Sequence, residues 1–396
     1  MRIAYLHYLC AQDTARHHVT QFTAAAAELG AEVVVAAMNP VAGEEAVGAD
    51  LSLRRRARSA VKERCSRYLH EPKELVWNAR YVARELKVLA RLRPDVLLVR
   101  DHTPTASCVV VAHRLGLPLV IEFNSPADEA HLYLDEYWHV PVVGSWLEGL
   151  KLRHADAVTV VSTALRDHLI ARHGVDAGKF AVVPNGGDTA RFHPDVAPDA
   201  ALPRGDSPVI GFVGSFSRWH GTELLADMIL AVGRARPKAR FLLVGDGAER
   251  IGVTTAIASL GDRVLWTGSV PHERVPGLVA AMDVGVVPDA GFYMSPLKAL
   301  EWMAAARALV APDTGPLREI AEDGVHALLF RQRSRDDLVA AVLRLIDEPG
   351  VRRRLGDAAA ARVRAELTWT DNARKVLAAC ERASALRRGD LTCVAS

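Results

Sequence analysis

Short apolar, β-branched runs alternate along this chain with longer segments of helical periodicity, the pattern of parallel strands covered by helices on both faces. In the first half the runs fall at 2–7, 32–37, 95–100, 118–123, 157–161 and 180–183, enough for one doubly wound sheet. The pattern lapses between 192 and 208 into HPDVAPDAALPRGDSP, which has neither helical nor alternating periodicity. It restarts at 209–213, 241–245, 263–266, 284–288, 308–311 and 327–330, predicting a second sheet of the same kind. Beyond Pro349 the chain is helical in composition, and Thr368-Trp369-Thr370-Asp371 predicts the cap of a last helix. The expected fold is α/β with two doubly wound, Rossmann-like parallel-sheet domains facing a central cleft. The expected division is 1–195, a linker at 196–208, a second domain at 209–368, and a helix at 369–390 packing back on the first domain.

Length agrees with two cores, since 396 residues exceed what one ordinary core organises. A net charge of +2 gives no reason to expect nucleic acid as a partner. Five cysteines, Cys10, Cys65, Cys108, Cys380 and Cys393, are odd in number and show no CxxC, which argues against a disulfide framework or zinc site and suits a reducing cytoplasm. The opening MRIAYLHYL reads as a strand rather than a secretory leader, and no window approaches a membrane span. The basic stretch Arg54 to Arg58 with Lys62, Arg64 and Arg67 allows peripheral membrane contact or an anionic partner, although such runs are commonly solvated helix faces.

In doubly wound sheets ligands gather at the carboxyl ends of strands, so the chemistry belongs in the strand-to-helix turns. Four turns in the second half carry it. GFVGSFSRWHGTELL brings backbone close to a ligand at Gly214 and Ser215, and Arg218 and His220 add positive charge. FLLVGDGAER ends a strand in Gly245 and Asp246. WTGSV offers backbone at Gly268 and Val270 for a base. Each alone is equally an ordinary βα turn. The strongest is PDAGFYMSPLKALEWMA: Gly291 to Pro296 resists regular structure, Pro296 suits the first turn of a helix, and that helix carries Lys298 and Glu301. Unpaired N–H groups from Met294 to Lys298, through Ser295 and Leu297, with the lysine charge, suit a diphosphate, and a carboxylate one turn on suits a ribose. The plainer alternative is a Lys298–Glu301 ion pair.

In this order the four turns resemble those of the retaining GT-B glycosyltransferases of family 4, over nearly the whole chain. VVSTALRDHL from Val160 and VVPNGGDTARFHP from Val182 resemble the family's stretch before its linker. The resemblance implies a nucleotide-diphosphate sugar as donor co-substrate, no other cofactor, and a small-molecule acceptor bound by the first domain. It also marks departures. The family's diphosphate-gripping arginine and lysine fall on Ser215 and His220, and its first glutamate falls on Tyr293. WHG and SPLK in their place resemble a subgroup in which Arg218, His220 and Lys298 supply the lost charge. Where the family has a histidine after the fourth strand, this chain has Glu122 and Asn124, which are expected at the acceptor or the transferred sugar, with a buried structural Glu122 as the alternative. Arg16, His17 and His18 follow the first strand. Asp128 and Glu129 begin an insertion rich in acidic and aromatic residues that suits a polar, even cationic, acceptor.

Such enzymes need no protein nucleophile, only stabilisation of the leaving diphosphate and positioning of the acceptor. His220, Lys298, Arg218 and Glu122 are therefore the expected catalytic groups. No DxD occurs in the chain, so metal-independent transfer is expected. The composition suits a bacterial natural-product or small-molecule pathway, with cell-surface polysaccharide or lipid-linked glycan assembly as the alternative. A sugar-nucleotide epimerase and a non-catalytic nucleotide-sugar-binding partner are the readings from other classes. A monomer and a homodimer are both compatible with the sequence.

Overall fold

The computed structural model describes residues 1–9, 16–37, 45–46, 76, 78–129, 141–199 and 207–390. Cys10, Cys65, Cys393, the basic stretch 54–67 and the acidic and aromatic residues at 131–139 lie outside them. The chain forms two compact units, Met1–Val183 with Asn372–Ser396, and Pro184–Asp371. This division falls earlier than position 195 because the segment leaving the first sheet already packs into the second unit. Phe192 is fully buried there among Leu242, Val244, Leu278 and Leu300.

The first unit holds a parallel sheet of seven strands, β1 (Arg2–His7), β2 (Glu32–Ala37), β3 (Glu45–Ala46), β4 (Val96–Arg100), β5 (Leu119–Phe123), β6 (Ala157–Val160) and β7 (Phe180–Val182). Their order is β3-β2-β1-β4-β5-β6-β7. Six of the seven coincide with apolar runs in the sequence, and only the two-residue β3 was not anticipated. Central strands are buried on both faces, Ile3 to Leu6 completely so, and this is why they read as unbroken apolar runs. From Asn372 onward the terminal helix Trp369–Arg388 belongs to this unit. Arg382 donates to the carbonyls of Gly178 and Lys179 at 3.0 Å, and Arg387 pairs with Asp156. The helix start is capped reciprocally by Thr368 and Asp371.

The second unit is a six-stranded parallel sheet of β8 (Val209–Val213), β9 (Arg240–Val244), β10 (Val264–Gly268), β11 (Val284–Val286), β12 (Ala308–Pro312) and β13 (Leu328–Phe330). The order β10-β9-β8-β11-β12-β13 reverses direction between β8 and β11. That switch point opens a crevice beyond the carboxyl ends of these two strands. Apolar side chains cover both faces, including the fully buried Trp302 on one and Phe212 and Ile229 on the other. Among the described residues no helix is long and apolar enough to cross a membrane, and Cys108 and Cys380 are buried free thiols.

Candidate active site

Three of the glycine turns knit into one surface at the carboxyl edge of the second sheet. The Gly214 N–H donates to Val244 O at 3.0 Å, Gly245 N–H to Gly268 O at 2.9 Å, and Phe216 N–H to Asp246 O at 3.0 Å. Gly245 has φ +122°, and a Cβ there would lie 2.0 Å from Gly214 O, so only glycine allows the two turns to touch. The Asp246 carboxylate is occupied by its own turn, accepting from Gly247 N–H at 2.8 Å and pairing with Arg250 at 3.1 Å. Gly268 keeps a left-handed φ of +68°, and Val270 packs against the core.

At the switch point, the turn after β8 meets the helix Leu297–Ala304 that follows the loop beyond β11. Lys298 is partly buried, but its Nζ is sealed from solvent and has no hydrogen-bond acceptor among the described residues, Glu301 included. The simple Lys298–Glu301 ion pair is therefore not formed. Nζ lies 4.8 Å from the centre of the Phe212 ring and 2.7 Å from where a Cβ on Gly214 would stand. Burial pushes Lys298 down to about 8, with Glu301 acting in the opposite direction. Burial likewise pushes Glu301 up to about 7, against the pull of Lys298 and Arg191. An ammonium and a carboxyl one turn apart are thus held in a low-dielectric environment without a direct bond, and the ammonium still lacks an acceptor.

Several expectations need correction. His220 is not a second cation: its Nδ1 is 2.6 Å from the Ser215 carbonyl, and burial and the Lys298 charge push it down to about 4. Its imidazole is neutral near pH 7, with the proton on Nδ1 and the Nε2 lone pair left to accept. The Ser215 hydroxyl sits 3.2 Å from the same nitrogen. Arg218 is exposed in the one-turn helix Arg218–His220. Tyr293 turns inward and is 2% exposed, packed edge-on to Phe292 at 5.1 Å, so it offers a ligand only its backbone. The Met294 N–H is spent on Gly291 O, and Pro296 has none, which leaves Leu297 and Lys298 as first-turn donors without intrahelical acceptors.

Asn185, Asp188 and Arg191 of the PNGGDTAR segment join this site with no local signal in the sequence. Asn185 bonds twice to Ser295. Arg191 donates to His272 O at 2.6 Å and to the Asp188 carboxylate through its backbone N–H. Both charges act on Glu301, Arg191 lowering and Asp188 raising its pKa.

In the first unit, Glu122 is the penultimate residue of β5 and is nearly inaccessible. Its Oε2 accepts from Tyr5 Oη at 2.8 Å, and its Oε1 from Arg100 at 2.5 Å and Asn124 Nδ2 at 2.7 Å, with His18 Nε2 at 3.2 Å. Burial alone would raise its pKa, but His18 and Arg100 hold it well below the usual carboxylate range. A carboxylate so fully engaged orients its neighbours and is not a free base, and Asn124 is committed with it. Arg16 donates to Leu9 O, while Asp128 is held by His168 and Arg172, each at 3.1 Å. His17 is partly buried on the helix Arg16–Glu28, and the Glu129 N–H closes a turn on Pro126 O. Of these groups, Glu122, Asn124 and His18 meet in one cluster at the carboxyl end of β5.

Known proteins account for both halves. Residues 15–191 match the family described as Glycosyltransferase Family 4, and residues 207–348 the family described as Glycosyl transferases group 1. The chain is a glycosyltransferase of the GT-B fold. It is similar to the alpha-maltose-1-phosphate synthase of Mycolicibacterium smegmatis, 27% identical over 264 residues, covering 61% of this chain and 67% of that protein. It is also similar to the alpha-D-kanosaminyltransferase of Streptomyces kanamyceticus, 26% identical over 257 residues, covering 62% and 66%. The chain thus spans some two thirds of the length of these curated relatives. Among solved structures, Anabaena HepE in complex with UDP and glucose superposes with a TM-score of 0.71 at 17% identity, covering 96% of this chain and 98% of that one.

Proposed function

We propose that the protein transfers a sugar, with retention of anomeric configuration, from a nucleoside-diphosphate sugar to a small polar acceptor in a bacterial natural-product or small-molecule pathway. The observation that carries the donor half is the Lys298 ammonium, sealed from solvent and without an acceptor, at the start of a helix on the switch point of the second sheet. A diphosphate supplies the missing acceptor, and the Leu297 and Lys298 N–H groups with the helix dipole add to its binding. Glu301, one turn on, accepts from ribose hydroxyls. In this reading the neutral His220 takes no part in charge neutralisation, so Lys298 carries most of it, in the manner of the WHG and SPLK variant. Anabaena HepE, of the same fold, was solved in complex with UDP and glucose, which supports a nucleotide ligand for this fold.

As the bond to the anomeric carbon breaks, the developing charge on the diphosphate is stabilised by Lys298 and the helix N-terminus. The departing oxygen then accepts the acceptor's proton on the same face, and no protein nucleophile is used. No metal is required in this scheme. The kanosaminyltransferase relative favours a natural-product acceptor, whereas the alpha-maltose-1-phosphate synthase relative favours a sugar phosphate. The test is a transfer assay with UDP-, GDP-, ADP- and dTDP-sugars, reading the anomer of the product by NMR and repeating after exhaustive EDTA treatment. An α-linked product from an α-linked donor, undiminished by EDTA, is expected. An inverted product, or activity lost to EDTA and restored by magnesium, would overturn retention or metal independence respectively.

A further inference from the structure

The loop 291–296 contains no strand or helix, and its internal backbone bonding reduces to Met294 N–H on Gly291 O. What holds it comes from outside. At one end Gln332 Nε2 donates to Ala290 O at 2.9 Å. At the other, Asn185 Nδ2 donates to Ser295 O at 2.7 Å and the Asn185 N–H to Ser295 Oγ at 3.2 Å, across 110 positions of sequence. Ser295 is 6% exposed, and its carbonyl stands before the Pro296 cap, outside the hydrogen-bond ladder of the helix Leu297–Ala304. A buried carbonyl in that position needs a donor from elsewhere in the fold. The segment carrying Asn185 is itself anchored in the second unit. The Gly187 N–H donates to Leu367 O at 2.7 Å, the Phe192 N–H to Asp188 O at 2.9 Å, and the Phe192 ring is fully buried.

We propose that Asn185 is a positioning residue for the donor: by holding the Ser295 carbonyl it fixes the loop and the first turn of the following helix, so that the Leu297 and Lys298 donors meet the diphosphate in register. This rests on the donor reading given above. The side-chain bond runs to the Ser295 backbone, so the two partners make distinguishable predictions. Asn185→Ala removes the brace. Asn185→Asp has the same shape, but its ionised side chain cannot donate. Ser295→Ala removes the 3.2 Å bond from the Asn185 N–H but keeps the 2.7 Å brace on the carbonyl.

The test combines hydrogen exchange across 291–300 in protein without ligand, calorimetric binding of UDP and of inorganic pyrophosphate, which needs no choice of base, and steady-state kinetics. Asn185→Ala and Asn185→Asp should accelerate exchange in 291–300, weaken both probes about tenfold, and raise the donor KM by a similar factor with kcat within about threefold. Ser295→Ala, which keeps the carbonyl brace, should show a clearly smaller effect than either Asn185 variant in all three. Wild-type binding matched by Asn185→Ala, with unchanged exchange, would overturn the inference alone, as would a Ser295→Ala protein that reproduces the Asn185→Ala defect. A wild type that binds neither probe would overturn the donor reading and this inference with it.

Discussion

Replacing Lys298 by methionine separates what this residue does for the fold from what it does for the donor. The lysine keeps an ammonium out of water with no hydrogen-bond acceptor among the described residues, and burial lowers its pKa from 10.5 to about 8. That depression corresponds to about 3 kcal/mol charged against folding at neutral pH. Methionine keeps the length of the stem and its contact with Phe212 while removing the charge. Glu301 loses an attractive partner in the exchange, but its carboxyl already sits at about 7 and protonates readily. A net gain of about 2 kcal/mol is expected, which for a unit of this size raises the melting transition by roughly 4–8 °C. The pH dependence has a defined sign. The native protein binds fewer protons than the unfolded chain between pH 8 and 10.5, so the cost is complete below 8 and relieved as pH rises to 10.5. The advantage of Lys298→Met should fade over that window. In calorimetry the same variant should bind UDP or its preferred counterpart about ten- to a hundredfold more weakly, as for a lost charge-assisted hydrogen bond. A Lys298→Met protein that melts no higher than the wild type and binds nucleotide equally well would refute this reasoning.

Three other outcomes follow from the same geometry. His220, held down at about 4 against 6.5 when unfolded, resists protonation, so the ligand-free protein should lose about 2–3 kcal/mol as pH falls from 6.5 towards 4. His220→Asn should flatten that part of the stability curve, measured by denaturant titration at several pH values. Gly245→Ala places a Cβ 2.0 Å from Gly214 O at φ +122°, so it should cost on the order of 3 kcal/mol and weaken nucleotide binding in a thermal-shift assay. Glu122→Gln leaves Arg100 without its countercharge and should lower stability by about 3–5 kcal/mol. At temperatures where this variant remains folded, its turnover should persist, because a saturated carboxylate does no proton transfer; a folded but inactive protein would return Glu122 to the chemistry.

All six strands of the second sheet, and all but β3 of the first, stand where unbroken apolar runs placed them, since parallel strands buried on both faces leave that mark in sequence. β3 left none, having two residues, one of them Glu45. The glycine turns were also legible, because Gly214 and Gly245 are backbone requirements that only one residue type meets. What failed to show were properties created by distant neighbours. The neutrality of His220 comes from burial and from Lys298, which reaches it from another strand-to-helix connection. The inward turn of Tyr293 depends on core packing, and nothing in the order Phe292-Tyr293 says which ring faces solvent. Asn185 carries no local mark of its role because its partner lies 110 residues away, and an Asn-Gly-Gly run reads locally as a turn. Phe192 moved the domain boundary for a similar reason: a lone aromatic before a proline- and aspartate-rich stretch gives no local sign that it is core.

The central claim is that the second unit binds a nucleoside diphosphate through Lys298, the helix beginning at Leu297, and Glu301. Calorimetric titration of UDP, GDP, ADP and dTDP into the wild type, Lys298→Met and Glu301→Ala proteins tests it most directly. One nucleotide should bind the wild type at a single site, with affinity sharply reduced in both variants. Binding of none of the four, or binding that both variants retain in full, would contradict the account.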